Sequence, residues 1–98
     1  MTKIVADNKA FWFCTRTGFI GKKAHSLSEF TEAIKTVPAE SLEFHLRDNK
    51  NDFAAWLFDT MQEPKIAEEM KKIKIKNLRG ETLRASLSKA VKKNDKSV

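Results

Sequence analysis

The sequence predicts a mainly α, α+β fold: about five short helices packed with a small N-terminal aromatic β-strand or hairpin. Three observations predict it. Apolar residues recur at helical spacing in successive segments after Ser26. Pro38 and Pro64 divide those segments. Ahead of them lies one short aromatic run, Phe11-Trp12-Phe13-Cys14, of the residue types that favour strands.

Each element has its own local warrant. Residues 1–9 read as a flexible lead-in. Over 10–15 an alternating strand puts Phe11 and Phe13 on one face and Trp12 and Cys14 on the other. Thr17, Gly18 and Gly21 punctuate the next stretch of chain, and Phe19-Ile20 between them forms a short return strand. Both tryptophans, Trp12 and Trp56, sit inside apolar runs and are expected in the core. Ser26-Leu27-Ser28-Glu29 is a capping box: the Ser26 hydroxyl takes the Glu29 amide and Glu29 reaches back to the Ser26 amide. A helix then runs on Leu27, Phe30, Ala33, Ile34 and Val37 until Pro38, which disfavours helical dihedrals at Val37.

A second helix is predicted over 38–47, with Pro38 at its first position and Leu42, His45 and Leu46 on its inner stripe. Asp48-Asn49-Lys50-Asn51 is turn chemistry, and Asn49 or Asn51 can cap a third helix over 52–61. Phe53, Trp56, Leu57 and Met61 form that helix's inner stripe. Its other residues include Ala54, Ala55 and Phe58, so it is either central or covers a partner. Pro64 opens a fourth helix on Ile66, Ala67, Met70 and Ile73. A loop at Leu78-Arg79-Gly80 leads to a last helix over 81–92 on Leu83, Leu87, Ala90 and Val91. Residues 10–92 make one compact domain, and 93–98 read as a flexible basic tail.

Composition bounds the function. The chain has 98 residues and a formal net charge of +6. Up to Glu63 there are 8 Lys+Arg against 9 Asp+Glu; from Pro64 onward there are 11 against 4. A basic half beside a near-neutral one fits phosphate, nucleic acid or an acidic partner; the plainer reading is a solvated lysine-rich surface. No apolar run reaches the ~18 residues of a membrane span, so no membrane partner is expected. The first residues lack the apolar core of a secretory signal. The single Cys14 rules out an internal disulfide and fits a reducing, cytoplasmic setting.

Several residues carry candidate chemistry. His45, Arg47 and Asp52 surround the turn, and a carboxylate there can orient and charge the imidazole for acid–base work. Against that, His45 can simply bond across the turn while Asp52 caps the next helix, and no nucleophile or oxyanion donor is recognisable beside them. Cys14 with a histidine is a candidate nucleophile pair, but a cysteine in an aromatic strand is more often a small buried hydrophobe. Cys14, His25 and His45 have no metal-ligand spacing, so neither metal nor cofactor is expected. His45-Leu46-Arg47-Asp48 shares letters with a kinase catalytic loop, in a chain far too short for that fold. The basic strip Lys71, Lys72, Lys74, Lys76, Arg79 and Arg84 has a natural ligand class in phosphate or nucleic acid, without an interleaved aromatic or a defensible helix-turn-helix.

One resemblance spans roughly residues 10–92. The ordered series Phe11-x-Phe13, Gly21-Lys22-Lys23-Ala24-His25-Ser26-Leu27-Ser28-Glu29-Phe30, Val37-Pro38-Ala39-Glu40-Ser41, His45 and Asp52-Phe53-x-x-Trp56, then Lys65-Ile66-Ala67 and Arg84-x-x-Leu87, resembles a family of small prokaryotic domains, frequent in archaea, of unknown function. The turn between Arg47 and Asp52 is longer here than the family's tight turn. The resemblance implies no assigned activity and no cofactor. It marks His45, Arg47, Asp52, Phe53 and Trp56 as the cluster to examine. The leading expectation is a non-catalytic interaction or regulatory module with a protein partner. Nucleic-acid or phosphate binding through the basic half is the alternative, and an enzyme built on His45 and Asp52 comes third.

Overall fold

A computed structural model describes residues 3–94 of the chain. Among the described residues the order is a 3-10 turn (Asp7–Lys9), a hairpin of β1 (Phe11–Thr15) and β2 (Gly18–Ala24), then α1 (Leu27–Thr36), α2 (Ala39–Phe44), α3 (Asp52–Asp59), α4 (Pro64–Ile75) and α5 (Gly80–Asn94). This is the α+β architecture expected. Residues 95–98 of the predicted tail lie outside the described residues, whereas Lys93 and Asn94 are the last residues of α5.

The hairpin is longer than predicted, because β2 runs on through Lys22, Lys23 and Ala24. Phe11 pairs with Ala24 and Phe13 with Lys22, but Cys14 pairs with Phe19, so the register slips after Phe13. Two extra residues of β2, Ile20 and Gly21, are taken up at that slip. Gly21 has φ +86 there, a backbone setting in which a side chain is strained. The glycine read as a turn marker therefore marks a bulge inside a strand.

The helices bury the stripes that their spacing dictates. Phe30, Ala33 and Ile34 of α1, Phe53 and Leu57 of α3, Ile66 and Met70 of α4, and Leu83, Leu87 and Val91 of α5 all belong to one core. Val37 is extended, as the following proline demands, and Pro38 precedes α2 instead of opening it. Ser26 accepts the Glu29 amide at 3.2 Å, but the return bond goes one residue earlier than predicted: Glu29 Oε1 accepts from the His25 amide at 2.8 Å.

Two helices are shorter than the pattern predicts. α2 ends at Phe44, not at residue 47, because the chain tightens into three-residue turns and Asp48 takes φ +55. α3 ends at Asp59, not 61, where Gln62 at φ +57 redirects the chain and the Glu63 amide bonds the Leu57 carbonyl at 2.8 Å. Apolar periodicity continues past both stops because Leu46 and Met61 still pack inward from non-helical backbone.

At the centre stands Phe11. Its ring centroid lies 4.7 Å from that of His45, 5.2 Å from Phe53, 5.6 Å from Trp56 and 5.7 Å from Phe30. Such tilted and edge-on aromatic contacts add to the burial term. Trp56 is buried as expected, but Trp12 is not: it is 42% exposed. Strand alternation places Trp12 on the solvent face of a two-stranded sheet whose other face meets the helices. Cys14, expected as a buried hydrophobe, is half-buried on that same outer side.

The N-terminal residues lie against this frame. Ile4 bridges to Ser26, and the Val5 amide bonds the His25 carbonyl at 2.8 Å. The two indoles hold the 3-10 turn: Trp12 Nε1 donates to the Asp7 carbonyl at 3.1 Å and Trp56 Nε1 to the Lys9 carbonyl at 2.8 Å. Among the described residues, no helix is long and apolar enough to cross a membrane.

Candidate functional site

The predicted cluster is built where β1, α2 and α3 meet. Ser41 and His45 are one helical turn apart, so both side chains leave α2 on one side. That side faces the edge of β1 not paired to β2. Here Ser41 Oγ donates to the Cys14 carbonyl at 2.8 Å, and His45 Nε2 accepts from the Cys14 amide at 3.0 Å. The backbone groups of Cys14 that a two-stranded sheet leaves unpaired are thus satisfied by α2. Ser41 is fully buried and His45 nearly so.

The other imidazole nitrogen closes the α2–α3 turn. His45 Nδ1 lies 2.7 Å from Asp52 Oδ2, which also takes Lys50 Nζ at 3.1 Å. The Asp52 amide returns to the His45 carbonyl at 3.0 Å. The longer turn between Arg47 and Asp52 therefore still delivers the carboxylate to the ring. Because Nε2 accepts, the proton of the neutral ring sits on Nδ1 and is donated to Asp52. Burial holds the imidazole below its ordinary pKa, against the upward pull of Asp52. A proton added at Nε2 would face the Cys14 N–H and break that bond.

This geometry limits the chemistry of the cluster. A general base needs a free lone pair within reach of substrate, and the only one His45 possesses is taken by a backbone amide. Cys14 and His45 do meet, but through the amide and not the thiol, whose Sγ points to the Trp12 carbonyl at 3.5 Å. Asn51, not Asp52, caps α3: its Oδ1 accepts the Ala54 amide at 3.0 Å and its Nδ2 donates to the Met70 carbonyl at 3.1 Å. Phe53 and Trp56 are core residues: Phe53 lies 5.4 Å from the imidazole, and Trp56 is linked to it through Phe11. Arg47 is exposed, its guanidinium 4.2 Å above the Phe44 ring.

The basic residues of the second half have varied surroundings. Lys71 and Lys72 each stand near a glutamate of their own helix, Glu68 and Glu69. Lys74 Nζ donates to the Leu46 carbonyl. Arg84 bonds Glu81 and the Ile34 carbonyl at 2.7 Å, tying α5 to the end of α1. Lys76 and Arg79 are exposed. Among the described residues, no three His, Cys, Asp or Glu side chains are arranged to hold a metal ion.

A second polar cluster is not evident from the sequence. His25 Nε2 lies 2.8 Å from Asp7 Oδ1 and Nδ1 lies 2.9 Å from Glu29 Oε1, while Asp7 Oδ2 takes Lys23 Nζ at 2.8 Å. Two carboxylates on one ring favour the imidazolium: hydrogen bonds to Asp7 and then Glu29 raise the His25 pKa. Lys23 also lies 4.4 Å above the Trp12 ring. Only the capping-box position of Glu29 signals any of this.

A family model for a "Family of unknown function (DUF5752)" matches residues 8–97. The chain belongs to this family. No curated protein and no solved structure matches it. The DUF5752 match begins at the 3-10 turn and takes in the hairpin and all five helices, so the His45 clamp and the His25 cluster both fall almost wholly inside it.

Proposed function

We propose that this DUF5752 domain is a non-catalytic interaction module whose binding surface is the outer face of the hairpin, and that its partner is a protein segment carrying acidic side chains beside an apolar anchor. One observation carries the reading: Trp12 and Phe19, 42% and 44% exposed, stand side by side there with ring centroids 4.9 Å apart. Large aromatics in water are unfavourable unless covered, and Trp is a preferred anchor at interfaces. The cation on that face sets the partner's charge: Lys23 of β2 lies on Trp12, and the Asp7 carboxylate beside it is neutralised by Lys23 and His25. His45 and Asp52 support the module from below by fixing β1 and take no chemical step.

The test places a photo-crosslinking phenylalanine analogue at position 19 in cells of the native host. A discrete protein adduct is expected, and it should disappear when Trp12→Ala is added. Trp12→Ala should cost only about 1–2 kcal/mol, since it removes a half-exposed ring and its bond to the Asp7 carbonyl but leaves the core intact. No adduct, or an adduct indifferent to Trp12→Ala in a folded protein, removes the reading.

A further inference from the structure

Away from the hairpin face, three guanidinium groups from three separate connections line one cleft. Arg16 comes from the hairpin turn, Arg47 from the turn after α2 and Arg79 from the residues before α5. Together with Glu40, Glu43 and Phe44 of α2 they bound a cavity of about 340 Å³. A neighbouring cavity of about 420 Å³ shares Glu43, Arg47 and Arg79, and its wall includes the apolar Leu46, Ile73 and Leu78.

The cationic groups are only partly answered from within the protein. Glu43 is turned to structure: its Oε2 accepts the Gly80 amide at 2.7 Å, and its Oε1 is 4.0 Å from Arg79. Arg47 is oriented by Phe44, which leaves its fork of N–H donors without a hydrogen-bond partner among the described residues. Arg16 has neither an ion pair nor a hydrogen bond from its guanidinium among the described residues. The fork donors of Arg16 and Arg47 are therefore available to an anion held between them and Arg79.

We propose that this cleft binds a small phosphomonoester: its phosphate on Arg16, Arg47 and Arg79, its apolar body against Leu46, Ile73 and Leu78. Planar guanidinium forks match phosphate oxygens in pairs, and charge-assisted bonds of this kind are about twice as strong as neutral ones. The combined cleft lies within the range of ordinary small-molecule sites. Glu40 and Asp48 also line the cleft, so its cationic excess over the acids is small and suits one compact anion better than a long polyanion.

The experiment follows the arginine Nε–H resonances of the whole chain in ¹H–¹⁵N spectra during titration with inorganic phosphate, AMP and adenosine. Saturable shifts at Arg16, Arg47 and Arg79 are expected with phosphate and AMP, about tenfold tighter for AMP, and none with adenosine. Arg16→Gln and Arg47→Gln, both at exposed positions, should each weaken AMP about tenfold. Lys71→Gln, outside the cleft, should weaken it less than about twofold. Absence of saturation by about 10 mM of either anion overturns the site, as do equal losses in the arginine and lysine variants. Tighter binding of an oligonucleotide than of AMP at the same resonances overturns the ligand class.

Discussion

The two histidines of this chain have opposite settings, and the difference is set within a few ångströms of each ring. His45 is buried, so its folded pKa is lowered and the native state binds fewer protons than the unfolded chain. Its contribution to stability is therefore full above the ordinary imidazole value of about 6.5 and is lost as pH falls below it. His25 lies between two carboxylates and its folded pKa is raised. Its contribution is full below about 6.5 and is lost as pH rises through the raised value. Long-range ¹H–¹⁵N spectra across pH 4 to 9 should show His45 neutral with the proton on Nδ1 at pH values where His25 is already charged. Seeing His25 lose its proton first on raising the pH, or His45 protonated on Nε2, would contradict both assignments. In denaturation series, His25→Gln should abolish only the loss on the alkaline side.

At the scale of elements, α2 is held to β1 by two side chains and not by sheet extension. Ser41 and His45 take the carbonyl and the amide of one residue, Cys14. Ser41→Ala leaves that buried carbonyl without a partner and should cost about 1–3 kcal/mol in chemical denaturation. His45→Ala removes three things together: the bond to Cys14, the bond to Asp52 and the ring that packs on Phe11. It should cost about 3–5 kcal/mol, as other broken buried networks do. The double variant should cost less than the two separate losses combined, because both act on the same edge residue. Full additivity would mean that the clamp does not act as a unit.

For the molecule as a whole, the two tryptophans divide the work of core and surface. Trp56 fills the space between α1, α3 and Phe11 and also donates to the Lys9 carbonyl. Trp56→Ala should therefore cost about 3–5 kcal/mol and loosen the N-terminal segment together with the core. Trp12→Ala, made in parallel, should cost clearly less, about 1–2 kcal/mol, because it removes a half-exposed ring and one bond to the Asp7 carbonyl. Equal losses from the two substitutions would mean that the hairpin's outer face is structural and not free for a partner. The same division accounts for the basic half of the chain. Lys71, Lys72, Lys74 and Arg84 are answered locally by Glu68, Glu69, Glu81 and backbone carbonyls, while the guanidiniums of Arg16, Arg47 and Arg79, of which Arg79 alone has a carboxylate nearby, come from connections far apart in sequence.

What the sequence determined by itself was local in origin. Helical spacing, the Ser26 cap and the two prolines give the five helices, because those signals act within a turn or two of chain, whereas the structure chose Asn51 over Asn49 and Asp52 as the cap of α3. Strand alternation likewise separated Phe11 and Phe13 from Trp12 and Cys14, although two strands with helices on one face were needed to show which side meets water. The approach of Asp52 to His45 could be anticipated because the two residues flank one turn. That His45 accepts from the Cys14 amide, that Ser41 shares the task, and that three arginines line one cleft are decided by packing across 27 or more residues for the two bonds to Cys14. No local pattern encodes which unpaired strand edge a helix will cover. That choice is made when buried polar groups must find partners and the core closes around Phe11.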